Sequence, residues 1–382
     1  MSAARPSVAY PNNEVLPAEA RARQVAGALI VDVREDEERA AGMPLGAIGV
    51  PLAQLTERIG AIAADSSCEI LAICASGTRS RRAAGTLQAM GYAHAASVNG
   101  GFERWLRDGL PLAPGALDAD ASERYSRHLR LAEVGVAGQQ MLARARVALL
   151  GTGGLGSPAA LYLAAAGVGT LTLIDDDVVD RSNLQRQILH TDARVGTPKA
   201  TSAQATLHAL NPHVEIRAHT TRLDADNVEA LVGGQDVVID GADNFPARYL
   251  LSAACLRLRI PLVYGAVHRF SGQVSVFDAR RDDSPCYRCL FAEPPAPEDA
   301  PNCAEAGVLG VLPGVIGTLQ ATEAIKLILG IGAPLVGRLL CYDALAASFR
   351  ELRLARDPAC PGCGASAKFG GYADLARLCG AG

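Results

Sequence analysis

The sequence predicts an α/β protein: a small α/β unit, then a larger doubly wound unit that carries a four-cysteine metal site. Three observations predict it. Short apolar strands alternate with helical stretches along the chain. A glycine-rich loop, Gly151–Gly156, stands between a strand and a helix. Two CxxC pairs, Cys286/Cys289 and Cys360/Cys363, lie far apart in sequence.

Length and composition bound the reading. At about 150 residues per domain, 382 residues suggest two or three domains. Hydrophobic residues are 49% and charged residues 20%, so the chain buries a sizeable core. Aromatics are only 4%, which leaves that core to Ala, Val, Leu and Ile. The net charge of −4 argues against nucleic acid held by a general basic field. The start, MSAARPSVAYPNNEVLP, lacks a continuous apolar run, and no membrane span is expected. A cytoplasmic location follows as an expectation. Ten cysteines are too sparse for a disulfide scaffold in a chain this long. They are expected to be metal ligands, nucleophiles or core residues.

Four segments emerge. The first, 1–114, holds strands at Ala28–Arg34 and Glu69–Cys74 and a helix over Ser80–Met90. A linker, 115–122, lies in the Pro- and Gly-bearing stretch Leu110–Ser122. The third segment, 123–355, opens with an Arg-rich helical region. It continues as a strand at Val147–Leu150, a helix at Ser157–Ala166 and a strand at Thr170–Asp175. Further strands are expected at Val214–Ala218, Asp236–Asp240, Pro261–Tyr264 and Gln273–Phe277. This alternation is that of a doubly wound sheet. Five prolines between Ser284 and Cys303 predict a long loop without helix, and Gly310–Leu329 reads as a buried helix. The tail is 356–382.

The glycine loop is Gly151-Thr-Gly153-Gly154-Leu-Gly156. Its glycines let backbone approach a phosphate, and the following helix offers unpaired N–H groups. Asp175 ends the next strand, where a carboxylate meets ribose hydroxyls. This much suits either NAD or ATP. Ser182-Asn183-Leu184-Gln185-Arg186 and Lys199 follow, and Asp243-Asn244 sit beyond another strand end. Several cations over phosphates serve phosphoryl chemistry better than hydride transfer, because charge must be neutralised as pyrophosphate leaves. Asp243 suits Mg²⁺, which takes one or two carboxylates beside phosphate oxygens.

Four thiolates in two CxxC pairs suit a closed tetrahedral Zn²⁺ site, with a redox pair or inert thiols as the alternatives. Cys303 ends the Pro-rich stretch, where a thiol can approach a reactive intermediate. Cys68, Cys255, Cys341 and Cys379 have no motif and read as core or tail residues. His190 and His268 carry no motif and receive no role. Cys74-Ala-Ser-Gly-Thr-Arg79-Ser80 follows a strand and enters a helix whose N-terminus favours an anion at Cys74. That loop suits a persulfide or thiolate nucleophile. A phosphatase cradle normally has one more residue between Cys and Arg.

GTGGLGSP, IDDDVVDRSNLQRQ, the GTPK ending at Lys199, and DGADN together resemble the E1-like adenylyltransferases that activate ubiquitin-like sulfur-carrier proteins, in particular the molybdopterin-synthase and thiazole-biosynthesis group. The resemblance covers about Glu123–Gly364 and implies a Rossmann-like E1-type adenylation domain. It implies that a carrier's C-terminal Gly-Gly carboxylate attacks the α-phosphate of Mg-ATP to form an acyl-adenylate. It also implies Gly154, Asn183, Arg186 and Lys199 on phosphates, Asp175 on ribose and Asp243 on Mg²⁺. Arg127, in RYSRHL, would come from the partner subunit of a homodimer; His128 stands where the family often has Gln. Structural zinc and a catalytic role for Cys303, by thioester or by resolving an acyl-disulfide, are implied as well.

The segment Glu14–Leu112 resembles a single-domain rhodanese sulfurtransferase, through VDVRE, the Gly46–Leu52 stretch, the Cys74 loop and NGGFERWLRDGLPL. Ala75 stands where that loop often has Arg. The combined expectation is adenylylation of a carrier, then persulfide transfer from Cys74 to give a thiocarboxylate, in molybdenum cofactor or thiamin-type biosynthesis. A persulfide donor such as a cysteine desulfurase would load Cys74. The rival readings are an NAD-dependent oxidoreductase fused to a sulfur-handling domain, and a binding module with a vestigial nucleotide site.

Overall fold

The computed structural model describes residues 13–39, 42–113, 117–294 and 307–378. The chain divides into two compact units, Met1–Gln140 and Met141–Gly382.

In the first unit five strands, Glu14–Val15 (β1), Leu29–Asp32 (β2), Ile48–Gly49 (β3), Ile70–Ile73 (β4) and Ala96–Val98 (β5), form a parallel sheet in the order β1-β5-β4-β2-β3. Alternate residues of β4 serve opposite faces. Ile70 and Ala72 pack with Leu55, Ile59 and Leu87, and Leu71 and Ile73 with Phe102 and Trp105. Both faces are thus covered by helices, and the strands read as near-continuous apolar runs. Beyond the sheet, Asp118 accepts from Ala121 N at 2.8 Å and caps a helix over Ala119–Arg124, which starts inside the stretch read as linker and runs past its end. Tyr125, Leu129 and Val136 make a small core with it.

The second unit has eight strands: Arg146–Leu150 (β6), Thr170–Ile174 (β7), Glu215–His219 (β8), Val237–Asp240 (β9), Leu262–His268 (β10), Ser271–Phe277 (β11), Arg338–Asp343 (β12) and Ser348–Arg353 (β13). Their order is β13-β12-β11-β10-β9-β6-β7-β8. The strands from β10 through β9, β6 and β7 to β8 are parallel. The pairs from β10 out to β13 are antiparallel. Chain order reverses between β6 and β9, which is a topological switch point, the place where open α/β sheets bind ligands.

The Leu312–Leu329 helix meets the expectation of a buried helix. It is the one helix among the described residues that is long and apolar enough to cross a membrane by length and composition. Here it lies on the sheet. Gln320 Nε2 donates to Asp240 O at 2.7 Å and to Val263 O at 3.1 Å. Gly317 lies against the Leu155 carbonyl and Pro158, so two helices meet without an intervening side chain. One expectation fails. The stretch after Ser284 does hold a helix, Tyr287–Leu290, because Pro285 precedes its N-cap Cys286 and leaves the four following residues free of proline.

Candidate active site

The loops that follow β6 and β9 meet at the switch point. Gly151 has φ +84°, and a Cβ there would lie 2.7 Å from Gly241 O. A Cβ on Gly241 would lie 2.7 Å from Leu150 O, and one on Gly156 would overlap the Gly151 carbonyl. Backbone therefore packs on backbone, with no space for side chains. Gly156 opens the helix Gly156–Ala165. A Cβ on Gly154 would lie 3.1 Å from Pro313 Cβ, in the first turn of Leu312–Leu329. Two helix N-termini converge on the glycine loop, and both favour negative charge there.

Asp175 is buried just beyond β7. Its Oδ2 accepts from Thr152 N at 2.7 Å and Thr152 Oγ1 at 2.9 Å, and its Oδ1 from Asp177 N at 3.0 Å. The carboxylate thus fixes the glycine loop from below. Lys199 is buried too, and its Nζ pairs with Asp177 Oδ2 at 2.7 Å. Arg186 donates to Asn183 Oδ1 at 2.6 Å, and its Cδ would lie 3.8 Å from a Cβ on Gly154. Ser182 is exposed and donates to Asp180 Oδ1 at 2.6 Å. Leu184 is half-buried, and Gln185 lies against Gly310 at the approach to the long helix. Asp243 is exposed and accepts from Asn244 Nδ2 at 3.2 Å. Asn244 Oδ1 in turn accepts from Ala247 N at 3.0 Å and caps Phe245–Leu258. Gly151, Gly153, Gly154, Gly156, Asp175, Asn183, Arg186 and Lys199 are thus linked around one loop. Arg127 is exposed and belongs to the first unit, and Cys303 lies outside the described residues.

The four CxxC thiols come together. Their sulfurs all lie within 4.8 Å of one another, with Cys286–Cys360 at 3.6 Å and Cys289–Cys363 at 3.4 Å. Tetrahedral Zn–S bonds of about 2.3 Å put sulfurs about 3.8 Å apart, so donor set and spacing fit a closed Cys₄ site. Backbone N–H groups support the sulfurs: Gly362 N donates to Cys360 at 3.3 Å and Cys286 N to Cys289 at 3.4 Å. The Cys286 thiol pulls Cys363 down to about 5, whereas burial pushes Cys289 up to about 11.

In the first unit Cys74 is buried at the floor of its loop. Gly77 N donates to its Sγ at 3.2 Å, and the thiol reaches Ser80 Oγ at 3.4 Å. Phe102 N and Glu103 N donate to the carbonyls of Cys74 and Ala75, at 2.7 and 3.0 Å, and brace the loop from outside. Arg79 forms a two-pronged pair with Glu38, both contacts 2.6 Å. The pair holds the Glu38 carboxyl below its usual range.

Comparison with known proteins decides between the candidate families. The ThiF family profile matches residues 125–362, and a rhodanese-like domain profile matches residues 16–108. The chain belongs to the ThiF family. Among relatives, the SAMP-activating enzyme E1 of Haloferax volcanii is 53% identical over 249 residues, covering 65% of this chain and 91% of that protein. The sulfur carrier protein adenylyltransferase of Thermus thermophilus is 49% identical over 261 residues, 68% of this chain and 96% of that one. The probable adenylyltransferase/sulfurtransferase MoeZ of Mycobacterium tuberculosis is 47% identical over 267 residues, 69% and 67% respectively. A crystal structure of E. coli MccB with ATP shares the fold, with TM-score 0.55 and 22% identity over 68% of this chain and 79% of that one. These relatives support adenylyl transfer over the nicotinamide-dependent alternative.

Three residues of this ThiF-family site had no motif to reveal them, and each acts on a backbone carbonyl. His190, burial of which lowers its pKa, bonds through Nε2 to Thr152 O and through Nδ1 to Ser202 Oγ, both 3.0 Å. The carbonyl partner requires that Nε2 carry a proton and donate it. Gln320 ties the ends of β9 and β10, as described above. Arg248 donates from Nη2 to Ala242 O at 2.6 Å and Gly265 O at 3.1 Å, and its Nε lies 3.8 Å from Asp240 Oδ2. The loop that bears Asp243 is therefore clamped from beneath.

Proposed function

We propose that the protein adenylylates the C-terminal Gly-Gly carboxylate of a ubiquitin-like sulfur-carrier protein and then converts it to a thiocarboxylate with persulfide sulfur from Cys74. The observation that carries the reading is the convergence of the glycine loop, Asp175, Arg186 and Lys199 at the switch point of a ThiF-family sheet. The carrier carboxylate attacks the α-phosphorus of ATP, and pyrophosphate leaves. Backbone N–H groups of the glycine loop receive the phosphates. Arg186 and Lys199 neutralise the charge that grows on pyrophosphate. Asp175 faces the ribose, and Ser182 to Arg186 and Asn244 line the nucleotide site. Asp243, an exposed carboxylate beside the glycine loop, fits the Mg²⁺ of Mg-ATP. Arg127 is assigned to the partner protomer's nucleotide in a homodimer, and its exposure leaves it accessible to that protomer.

The Cys74 persulfide attacks the acyl-adenylate carbonyl, AMP leaves, and an acyl-disulfide forms. Cys303 thiolate then attacks the Cys74 sulfur. The carrier leaves as a thiocarboxylate, a Cys74–Cys303 disulfide remains, and an external thiol reduces it. A cysteine desulfurase-type persulfide donor reloads Cys74. Zn²⁺ held by Cys286, Cys289, Cys360 and Cys363 supplies a cross-link without an open coordination position. The eight described cysteines are all free, which suits the reducing cytoplasm. The chemistry serves molybdenum cofactor or thiamin-type biosynthesis.

The test is ATP–pyrophosphate exchange by the full chain with Mg²⁺, with and without Gly-Gly-ended carriers. Carrier-dependent exchange is expected. Folded, zinc-loaded protein that exchanges with no carrier would overturn the adenylylation reading.

A further inference from the structure

The Cys74 loop, residues 74–80, has one cationic side chain, Arg79. In anion-binding thiol loops such a cation attracts a charged donor. Here both ends of its guanidinium are taken by Glu38, at 2.6 Å each. Glu38 is not a loosely held surface acid. Glu35 N donates to its Oε2 at 3.1 Å, and Arg34 Nη1 reaches its main-chain oxygen at 3.3 Å. Arg34 is itself buried, paired with buried Asp32 at 2.6 Å and stacked 3.9 Å over the Phe102 ring. That Asp32–Arg34 pair is the middle of the VDVRE motif, and Arg34 also donates to Gly42 O at 2.6 Å. The core of the first unit thus fixes the segment that presents Glu38 to Arg79. The pair itself is about one-third exposed on each side, so a bound anion can compete for Arg79 only by displacing a pre-positioned carboxylate.

We propose that Glu38 is a specificity determinant of the Cys74 site: by occupying Arg79 it disfavours dianionic sulfane donors of the thiosulfate type and leaves the site to singly charged persulfides. The inference rests on the sulfur-transfer reading above. Both donors give the same product. A persulfide, R–S–S⁻, gives its outer sulfur to Cys74 thiolate; the S–S bond breaks, R–S⁻ leaves, and Cys74–S–S⁻ forms. Thiosulfate does the same with sulfite, SO₃²⁻, as the leaving group. The donors differ in the charge brought to the loop, two units against one. The charge on the approaching sulfur is opposed by Cys74 thiolate in both cases. A dianion therefore depends more on a free guanidinium.

The experiment uses the full chain and two assays. One is steady-state thiosulfate:cyanide sulfur transfer, and the other is loading of Cys74 by a cysteine desulfurase with L-cysteine, read by mass spectrometry. Glu38→Gln keeps the size of the side chain and removes its charge. It is expected to raise kcat/KM for thiosulfate at least fivefold, mainly through KM, and to change persulfide loading less than twofold. In Glu38→Gln/Arg79→Gln the gain is expected to vanish, which places the effect on the released Arg79 rather than on the general field. Glu38→Asp, too short to span both guanidinium nitrogens, is expected to fall between, and covers the case of a misfolded Gln variant. Thiosulfate kinetics unchanged in a folded Glu38 variant, or a gain that survives Arg79→Gln, would refute the inference alone. Wild-type Cys74 that accepts sulfur from neither donor would refute the sulfur-transfer reading, and this inference with it.

Discussion

Replacing Gly151 by Ala would test whether the two loops at the switch point act as one rigid cradle. Two costs add. The residue has φ +84°, a left-handed conformation that costs an L side chain about 1–2 kcal/mol. The new Cβ would lie 2.7 Å from Gly241 O, and the atom it meets is backbone on the neighbouring strand end, not a side chain that can turn away. Overpacking of this kind costs about 1–3 kcal/mol. The sum is about 2–5 kcal/mol. For a unit this large, at roughly 2–4 °C per kcal/mol, melting should fall by about 4 °C or more. The functional loss should be larger, because the strain is relieved by parting the glycine loop from the loop that carries Asp243. A displacement approaching 1 Å in a reacting assembly costs on the order of 10²-fold in rate. ATP–pyrophosphate exchange by Gly151→Ala is therefore expected to fall by about that factor, with Mg-ATP affinity, by calorimetry, down about tenfold. Gly85→Ala is the matched control. Gly85 sits inside the helix Thr78–Ala89 with nothing within 4 Å of its Cβ position, so alanine should stabilise the first unit by about 0.5–1 kcal/mol and leave exchange untouched. Wild-type melting and Mg-ATP affinity in Gly151→Ala would refute the rigid-cradle argument.

Three further outcomes are expected. Burial lowers the His190 pKa below its unfolded value of about 6.5; the unfolded chain then binds the extra proton, so stability is full above about pH 6.5 and falls as pH drops through it. Urea midpoints of His190→Gln should lose less between about pH 7 and pH 5.5 than wild type, and parallel slopes would contradict this. Arg248→Met removes the partner of buried Asp240 and three carbonyl contacts. Breaking a buried pair costs about 3–5 kcal/mol, so thermal melting should drop by about 6 °C or more, and a shift under 2 °C would disprove the clamp. Cys360→Ala should abolish the one zinc per chain expected from elemental analysis and make Arg356 and Lys368 rapidly accessible to trypsin; retained zinc would show that the cluster is not the metal site.

Much of the second unit was legible because its signals are local. A glycine loop between apolar strand and helix, and paired cysteines at CxxC spacing, depend on residue type and order alone. Most strand ends came within a residue or two for the same reason: β8 runs Glu215–His219 against the expected Val214–Ala218, though β10 runs on to His268, four residues past the expected Tyr264. The outer hairpin β12–β13, with β13 at the sheet edge, was missed. SFRELR in β13 is exposed at every position, so no apolar alternation marks it. The short β1, β3 and β5 have two or three residues each and fall below any period. Around the glycine loop the structure gathers Asp175, Arg186 and Lys199, which charge and spacing single out in the sequence. His190, Arg248 and Gln320 are not singled out, because their partners are carbonyl oxygens that every residue possesses, and only the folded path says which ones meet. Asn244 has a second role of the same kind: its side-chain oxygen caps a helix, which its place beside Asp243 did not announce.

The cysteine cluster also bears on how this chain tolerates change in length. Cys286 and Cys360 are 74 positions apart, and the span between them contains the Leu312–Leu329 helix, the hairpin of β12 and β13, and the stretch around Cys303. The clasp makes this span a closed ring. The entropy of closing a ring grows only as the logarithm of its length, so even doubling it adds about 0.6 kcal/mol. Residues inserted or deleted along this span therefore change the ring's closure by a small fraction of that. The span that the cluster closes can thus change in length at almost no expense to the stability of the fold.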